Sequence, residues 1–124
     1  MNKSLLLPCL LGISAVSLGA FGAHGLENTL TSHGTLDVWQ TAVQYHFYHT
    51  LAIFALILCV PRAKVPLILW TFGILIFSGS LYILAVSGIK WLGAITPIGG
   101  LLFIVGWFSL LFVKPRLSEI KKTP

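Results

Sequence analysis

The sequence predicts an all-α integral membrane protein, a bundle of four helices that cross the bilayer with both ends on the same side. Three observations carry this. Of the 124 residues, 56% are hydrophobic and only 9% charged, against roughly 45–50% and about 25% in an ordinary soluble domain. The mean hydropathy is +0.94, and a chain this short has too much surface for its volume to hide that apolar excess from water. This excludes a water-soluble globule and, equally, a disordered chain. Second, the apolar residues gather into four runs, each long enough to cover a hydrocarbon core of roughly 30 Å. Third, the runs lack the period-two alternation of strands in a membrane barrel. Residues 1–124 are therefore read as a single membrane domain, with no room for a separate soluble catalytic module.

The first span is Leu5 to Ala23, without a charge inside it. A cleavable signal peptide competes with this reading, since Lys3 supplies a positive start and Ala20 and Gly22 the small residues before a cut. The run exceeds the signal core of about 7–15 residues, so a retained span is expected. The loop Gly25 to Asp37 follows, and its Leu26, Leu30 and Leu36 should rest on the outer interface. Thr35 is placed to cap the next helix, with Asp37 favoured at its positive start. The second span is Ala42 to Val60. The link Pro61 to Pro66 bars helix continuation, and the third span is Leu67 to Val86. Gly88 suits the left-handed end of that helix, and the fourth span is Leu92 to Val113. Pro97 should kink it.

Charge sets the threading. Lys3, Arg62, Lys64, Lys114, Arg116, Lys121 and Lys122 fall on one side of four spans, and only Lys90 on the other. Cytoplasmic loops carry the Lys/Arg excess, so both termini are expected in the cytoplasm of a bacterial inner membrane. The net charge of +5 then reflects topology and attraction to anionic membrane lipids, and needs no nucleic-acid partner. Cys9 and Cys59 fall toward the reducing cytoplasmic side, where no disulfide is expected.

The polar residues sit in the outer half. At about 1.5 Å per residue, His49 lies roughly 10 Å below the outer face, Ser78 roughly 12 Å and Thr96 about 6–8 Å. His24 ends the first span. At helical spacing Ala42, Tyr45, His46, His49, Ile53 and Leu56 share a face, which should point into the bundle because lipid satisfies neither imidazole nor phenol. His24, Tyr45, His49, Ser78 and Thr96 form the candidate polar cluster. Trp39 and Trp91 should mark the outer interface. Gly19, Gly22, Gly79, Gly99 and Gly100 are the candidate helix-packing positions, since small residues let backbones approach where lipid gives no hydrophobic drive.

Three readings of the cluster differ in class. The first is a buried polar network, with His49 bonded to Ser78, Tyr45 or a carbonyl of the fourth span. The second is an oligomeric transporter or a proton or solute channel, since intramembrane ionisable groups are functional candidates. The third is a haem, quinone or metal binder, against which the spans contain no carboxylate and the cysteines lie at the opposite face. The chain offers no nucleophile, base and orienter set, no phosphate loop and no paired acids. No catalytic residue, metal or cofactor is therefore expected.

Motifs over nearly the whole chain carry a resemblance. They are Gly19-Ala-Phe-Gly-Ala-His24-Gly25, Trp39-Gln-Thr-Ala42, Tyr45 with His49-Thr-Leu-Ala52, Phe77-Ser-Gly-Ser-Leu-Tyr82, and Thr96-Pro-Ile-Gly-Gly100 followed by Gly106-Trp107. In that order they resemble the YgdD family, small bacterial inner-membrane proteins of unknown function with relatives in eukaryotes. His24 and His49 match the motifs, whereas His46 does not. The resemblance implies a four-helix membrane protein and no assigned chemistry. The function expected is that of a non-enzymatic, structural or complex-associated membrane protein, whose partner is a second copy or a larger membrane complex.

Overall fold

A computed structural model describes residues 2–114. Helix α1 is Leu6–Ala23, entered through a tight turn at Lys3–Leu5, and a short α2 is Glu27–His33. Helix α3 is Leu36–Cys59 and α4 is Lys64–Gly73. A π-helical stretch, Ile74–Ser78, joins α4 directly to α5, Gly79–Ser87. A 3₁₀ segment, Lys90–Ala94, precedes α6, Thr96–Ser109, which tightens into 3₁₀ again at Leu110–Phe112. There is no strand among the described residues. Four units, Lys3–Ala23, Leu36–Cys59, Lys64–Ser87 and Lys90–Phe112, have 21, 24, 24 and 23 residues and the apolar character to cross a membrane. At 1.5 Å per residue each is about 32–36 Å long.

The turns follow the local chemistry. Gly34 and Gly88 have φ of 65° and 73° and end α2 and α5 in the left-handed conformation that glycine adopts without steric penalty. The link after α3 is shorter than expected, because α4 starts at Lys64 and takes Pro66 into its first turn. There the missing N–H removes no helical bond. The same reasoning corrects the expected kink at Pro97. The fourth unit breaks at Ile95, between the 3₁₀ segment and α6, and Pro97 lies in the first turn of the new helix.

Helix α3 begins at Leu36, six positions before the expected Ala42, and its early turns carry Trp39 inward. Trp39 does not mark the interface. It is 4% exposed, whereas Trp91 is 67% exposed. The loop before α3 is likewise drawn into the protein. Leu30 on α2 is completely buried, in a cluster with Trp39 and Ala85. Thr35 does not cap α3; its hydroxyl crosses to the Ala85 carbonyl at 2.7 Å and fastens the loop to the end of α5.

Packing pairs α1 with α3 and α4 with α6, and α3 also touches α2, α4 and α5. Leu7 and Leu11 near the start of α1 pack against a cluster that includes Leu56 near the end of α3, so these two helices run antiparallel. The remainder of that cluster is Ile53, Trp70, Ile74 and Phe103. Close approaches use glycine. A side-chain carbon on Gly22 would overlap the Trp39 indole, and one on Gly99 would overlap the Phe77 backbone. Gly73, outside the expected set, and Gly106, a further small residue of the fourth span, lie under Phe103 and Trp70, each 2.5 Å from where a Cβ would stand. Gly19 is moderately tight, at 3.3 Å from Val43. Gly100 makes only ordinary contact with Phe77, and Gly79 faces open space, so neither is a close-approach position.

Candidate functional site: a pair of buried histidines

His46 and His49 lie one turn apart on α3 and both are buried. Opposite hydrogen-bond patterns hold them. Ser14 donates its hydroxyl to the Leu11 carbonyl at 2.9 Å, which leaves its oxygen to accept from His46 Nε2 at 3.4 Å. His46 Nδ1 then accepts from the Tyr82 hydroxyl at 3.1 Å. For His49, Nδ1–H donates to the Tyr45 carbonyl at 2.9 Å, and Nε2 accepts from the Trp107 indole N–H at 3.0 Å. An indole N–H only donates, so its partner nitrogen must carry a lone pair. The partners thus assign His46 the Nε2–H tautomer and His49 the Nδ1–H tautomer.

Aromatic rings close around His49. Its imidazole stacks on Phe103 with centroids 3.5 Å apart and planes 8° from parallel. Trp70 and Trp107 meet it edge-on at 6.2 Å and 6.0 Å and each other at 4.6 Å. The Trp70 indole nitrogen is buried without a hydrogen-bond partner among the described residues.

Further bonds tie α3 to its neighbours. The Trp39 indole donates to the Leu18 carbonyl of α1 at 3.0 Å, and Ser78 donates to the Ala42 carbonyl at 2.8 Å. Ser80 and Thr96 pair at 2.7 Å, joining α5 to α6. Taken along α3, Trp39, Ala42, His46 and His49 each bond to another helix or to the π stretch. One face of this helix carries the polar contacts, while Tyr48, Leu51, Phe54 and Leu58 on its other side are exposed.

The five residues of the expected cluster do not meet at one point. His49 does meet Tyr45, through the Tyr45 carbonyl and through its ring, which stacks at 6.2 Å between centroids. The Tyr45 side chain, expected on the inward face, is 41% exposed and packs on Phe77 at 4.7 Å. Ser78 bonds to Ala42, and Thr96 bonds to Ser80. His24 is exposed at the end of α1 and makes no side-chain bond among the described residues. The site gathers instead His46, Tyr82, Trp107 and Ser14. His46 was legible from its place on the Ala42–His49 face; Ser14 and Trp107 were not, because their helices meet α3 only through the packing.

A metal or haem at this pair would have to displace existing bonds, since each ring nitrogen of His46 and His49 is occupied. No three His, Cys, Asp or Glu side chains gather among the described residues. Cys9 and Cys59 are both exposed and unpaired. Two cavities lie outside the histidine pair. A groove of about 190 Å³ runs between α1 and α3 beside Gly22, Gln40 and Gln44. A larger cavity of about 500 Å³ is lined by the 60–66 turn together with Val113 and Lys114.

Four apolar helices of crossing length, joined by hydrogen bonds from buried imidazole and hydroxyl groups and part-buried aromatic ones, define a small multi-helix membrane protein. The chain belongs to the family described as protein of unknown function DUF423, whose profile matches residues 18–100. It is 49% identical over 115 residues to the UPF0382 membrane protein SSP2132 of Staphylococcus saprophyticus, covering 90% of this chain and 95% of that protein. It is 44% identical over 117 residues to UPF0382 membrane protein YwdK of Bacillus subtilis, covering 90% and 94%. A UPF0382 membrane protein of Haemophilus influenzae is 44% identical over 115 residues, covering 90% and 92%. No solved structure matches the chain.

Proposed function

We propose that the chain is a non-catalytic component of the bacterial inner membrane, both termini cytoplasmic, that acts by packing into its own oligomer or a larger membrane complex. The observation carrying this reading is that the buried histidines spend all four ring nitrogens on bonds within the chain. Polarity so used holds the fold together and leaves neither His46 nor His49 a ring nitrogen aimed at a substrate or a lumen. Large apolar side chains cover the outside, among them Leu101, Ile104, Leu111 and Phe112. The orientation rests on the Lys/Arg asymmetry of the sequence. The bacterial relatives named as membrane proteins support the setting, and the motif order extends the kinship to the YgdD proteins and their eukaryotic relatives.

Chemical cross-linking in native membranes, read by mass spectrometry, tests the role. A stoichiometric partner or a defined oligomer is the expected result. Proteoliposome flux supplies the opposing outcome: conduction that His49→Ala abolishes, in a variant that still folds, would replace this reading with the channel. A haem, quinone or metal that co-purifies stoichiometrically, seen by absorption and elemental analysis, would replace it with the cofactor binder.

A further inference from the structure

The cavity of about 500 Å³ has no part in the histidine network. It lies at the end of the bundle where α3 stops, α4 starts and the fourth apolar unit ends. Three cationic side chains, Arg62, Lys64 and Lys114, line it together with the apolar Val60, Val65 and Val113. The opening turn of α4 contributes as well, since first-turn N–H groups have no partner within their own helix and carry the positive end of its dipole.

Cations and valines side by side in one lining fit a ligand that is anionic in one part and hydrocarbon in another. A free phosphate would need only the cations. The position also favours a lipid, because the cavity opens where the apolar helices end, at the depth of the headgroups. We infer that this cavity binds the phosphodiester headgroup of an anionic phospholipid, Lys64 and Lys114 meeting the phosphate and Val65 and Val113 the glycerol and upper acyl chain. Charge-assisted bonds to phosphate are among the stronger polar contacts, and basic pockets between membrane helices are apt for them. The inference goes beyond the proposed role and holds whichever partner the bundle has.

Native mass spectrometry of the full chain in detergent, with phosphatidylglycerol or phosphatidylcholine added, tests it. The unaltered protein should retain phosphatidylglycerol in preference. The double variant Lys64→Gln, Lys114→Gln should lose that preference roughly thirtyfold, as expected for two ammonium groups beside a phosphate. Lys3→Gln should keep it: Lys3 is exposed, and its end of α1 packs beside the end of α3, so it reports on surface charge at the same end. Lys64→Arg with Lys114→Arg should also keep it, which separates loss of charge from loss of fold. Equal retention of both lipids by the unaltered protein overturns the site. So does an unchanged preference in the glutamine pair, or an equal loss in Lys3→Gln or in the arginine pair. Displacement of the lipid by inorganic phosphate would overturn the lipid assignment in favour of a free-phosphate site.

Discussion

At the residue scale, His49 and Trp107 make the sharpest test of the buried network. His49→Ala removes a ring stacked at 3.5 Å on Phe103 and leaves the Trp107 indole N–H without its acceptor. The cavity and the orphaned donor together should cost about 2 to 4 kcal/mol. Thermal unfolding in detergent measures this. His49→Gln should recover part of the loss if its side-chain amide oxygen reaches Trp107. An unchanged midpoint for His49→Ala would mean that the bond contributes nothing. The glycines give a paired test. Gly99→Ala drives a methyl into the Phe77 backbone and should destabilise by about 2 kcal/mol or more, as overpacking without room to relax does. Gly79→Ala faces open space and should be neutral or stabilising by up to about 1 kcal/mol. The two carry the same helix-propensity gain, so only the packing separates them.

At the element scale, the π stretch at Ile74–Ser78 determines which side chains of α5 face inward. A π turn takes in one residue more than an α turn, so the helix face beyond it is offset by about 100°. Beyond it, Ser80 reaches Thr96 and Tyr82 reaches His46, while Ser78 reaches Ala42 from within it. Deleting the exposed Leu75 should return the stretch to α-helix and rotate α5 out of register. All three bonds should be lost together, and disulfide trapping between cysteines placed at positions 80 and 96 should fall from efficient to background. Ser78→Ala alone removes one bond and should cost only about 0.6 kcal/mol, the average for interhelical hydrogen bonds in membranes. A deletion no more harmful than that single change would show that the π stretch does not set the register. The existence of this third helix was legible in the apolar run from Leu67 to Val86, but its break in period was not. Nothing in Ile74-Leu-Ile-Phe-Ser78 marks a π turn, because the wide turn is held by contacts on either side of it.

At the scale of the whole molecule, the threading makes its own prediction. Reporter fusions at the two ends should both signal from the cytoplasm, and a fusion in the 25–35 loop should signal from outside. Opposite compartments for the two ends would remove the topology and the depth assignments with it. Composition and run length by themselves determined the solvent and the number of apolar helices, because the free energy of placing about 20 apolar residues in lipid exceeds any local propensity. Gly88 was also readable, since a left-handed turn requires a residue without a side chain. The tertiary structure decided the rest. It turned Trp39 inward to the Leu18 carbonyl, drew Leu30 beneath the bundle end, separated His24 from His49 and brought Ser14, Tyr82 and Trp107 to the histidines. The physical reason is that an apolar helix is attractive to lipid on every side, so its sequence carries little record of which side a neighbour will cover. That choice falls to a few glycines and hydrogen bonds, whose partners lie up to 58 positions away along the chain.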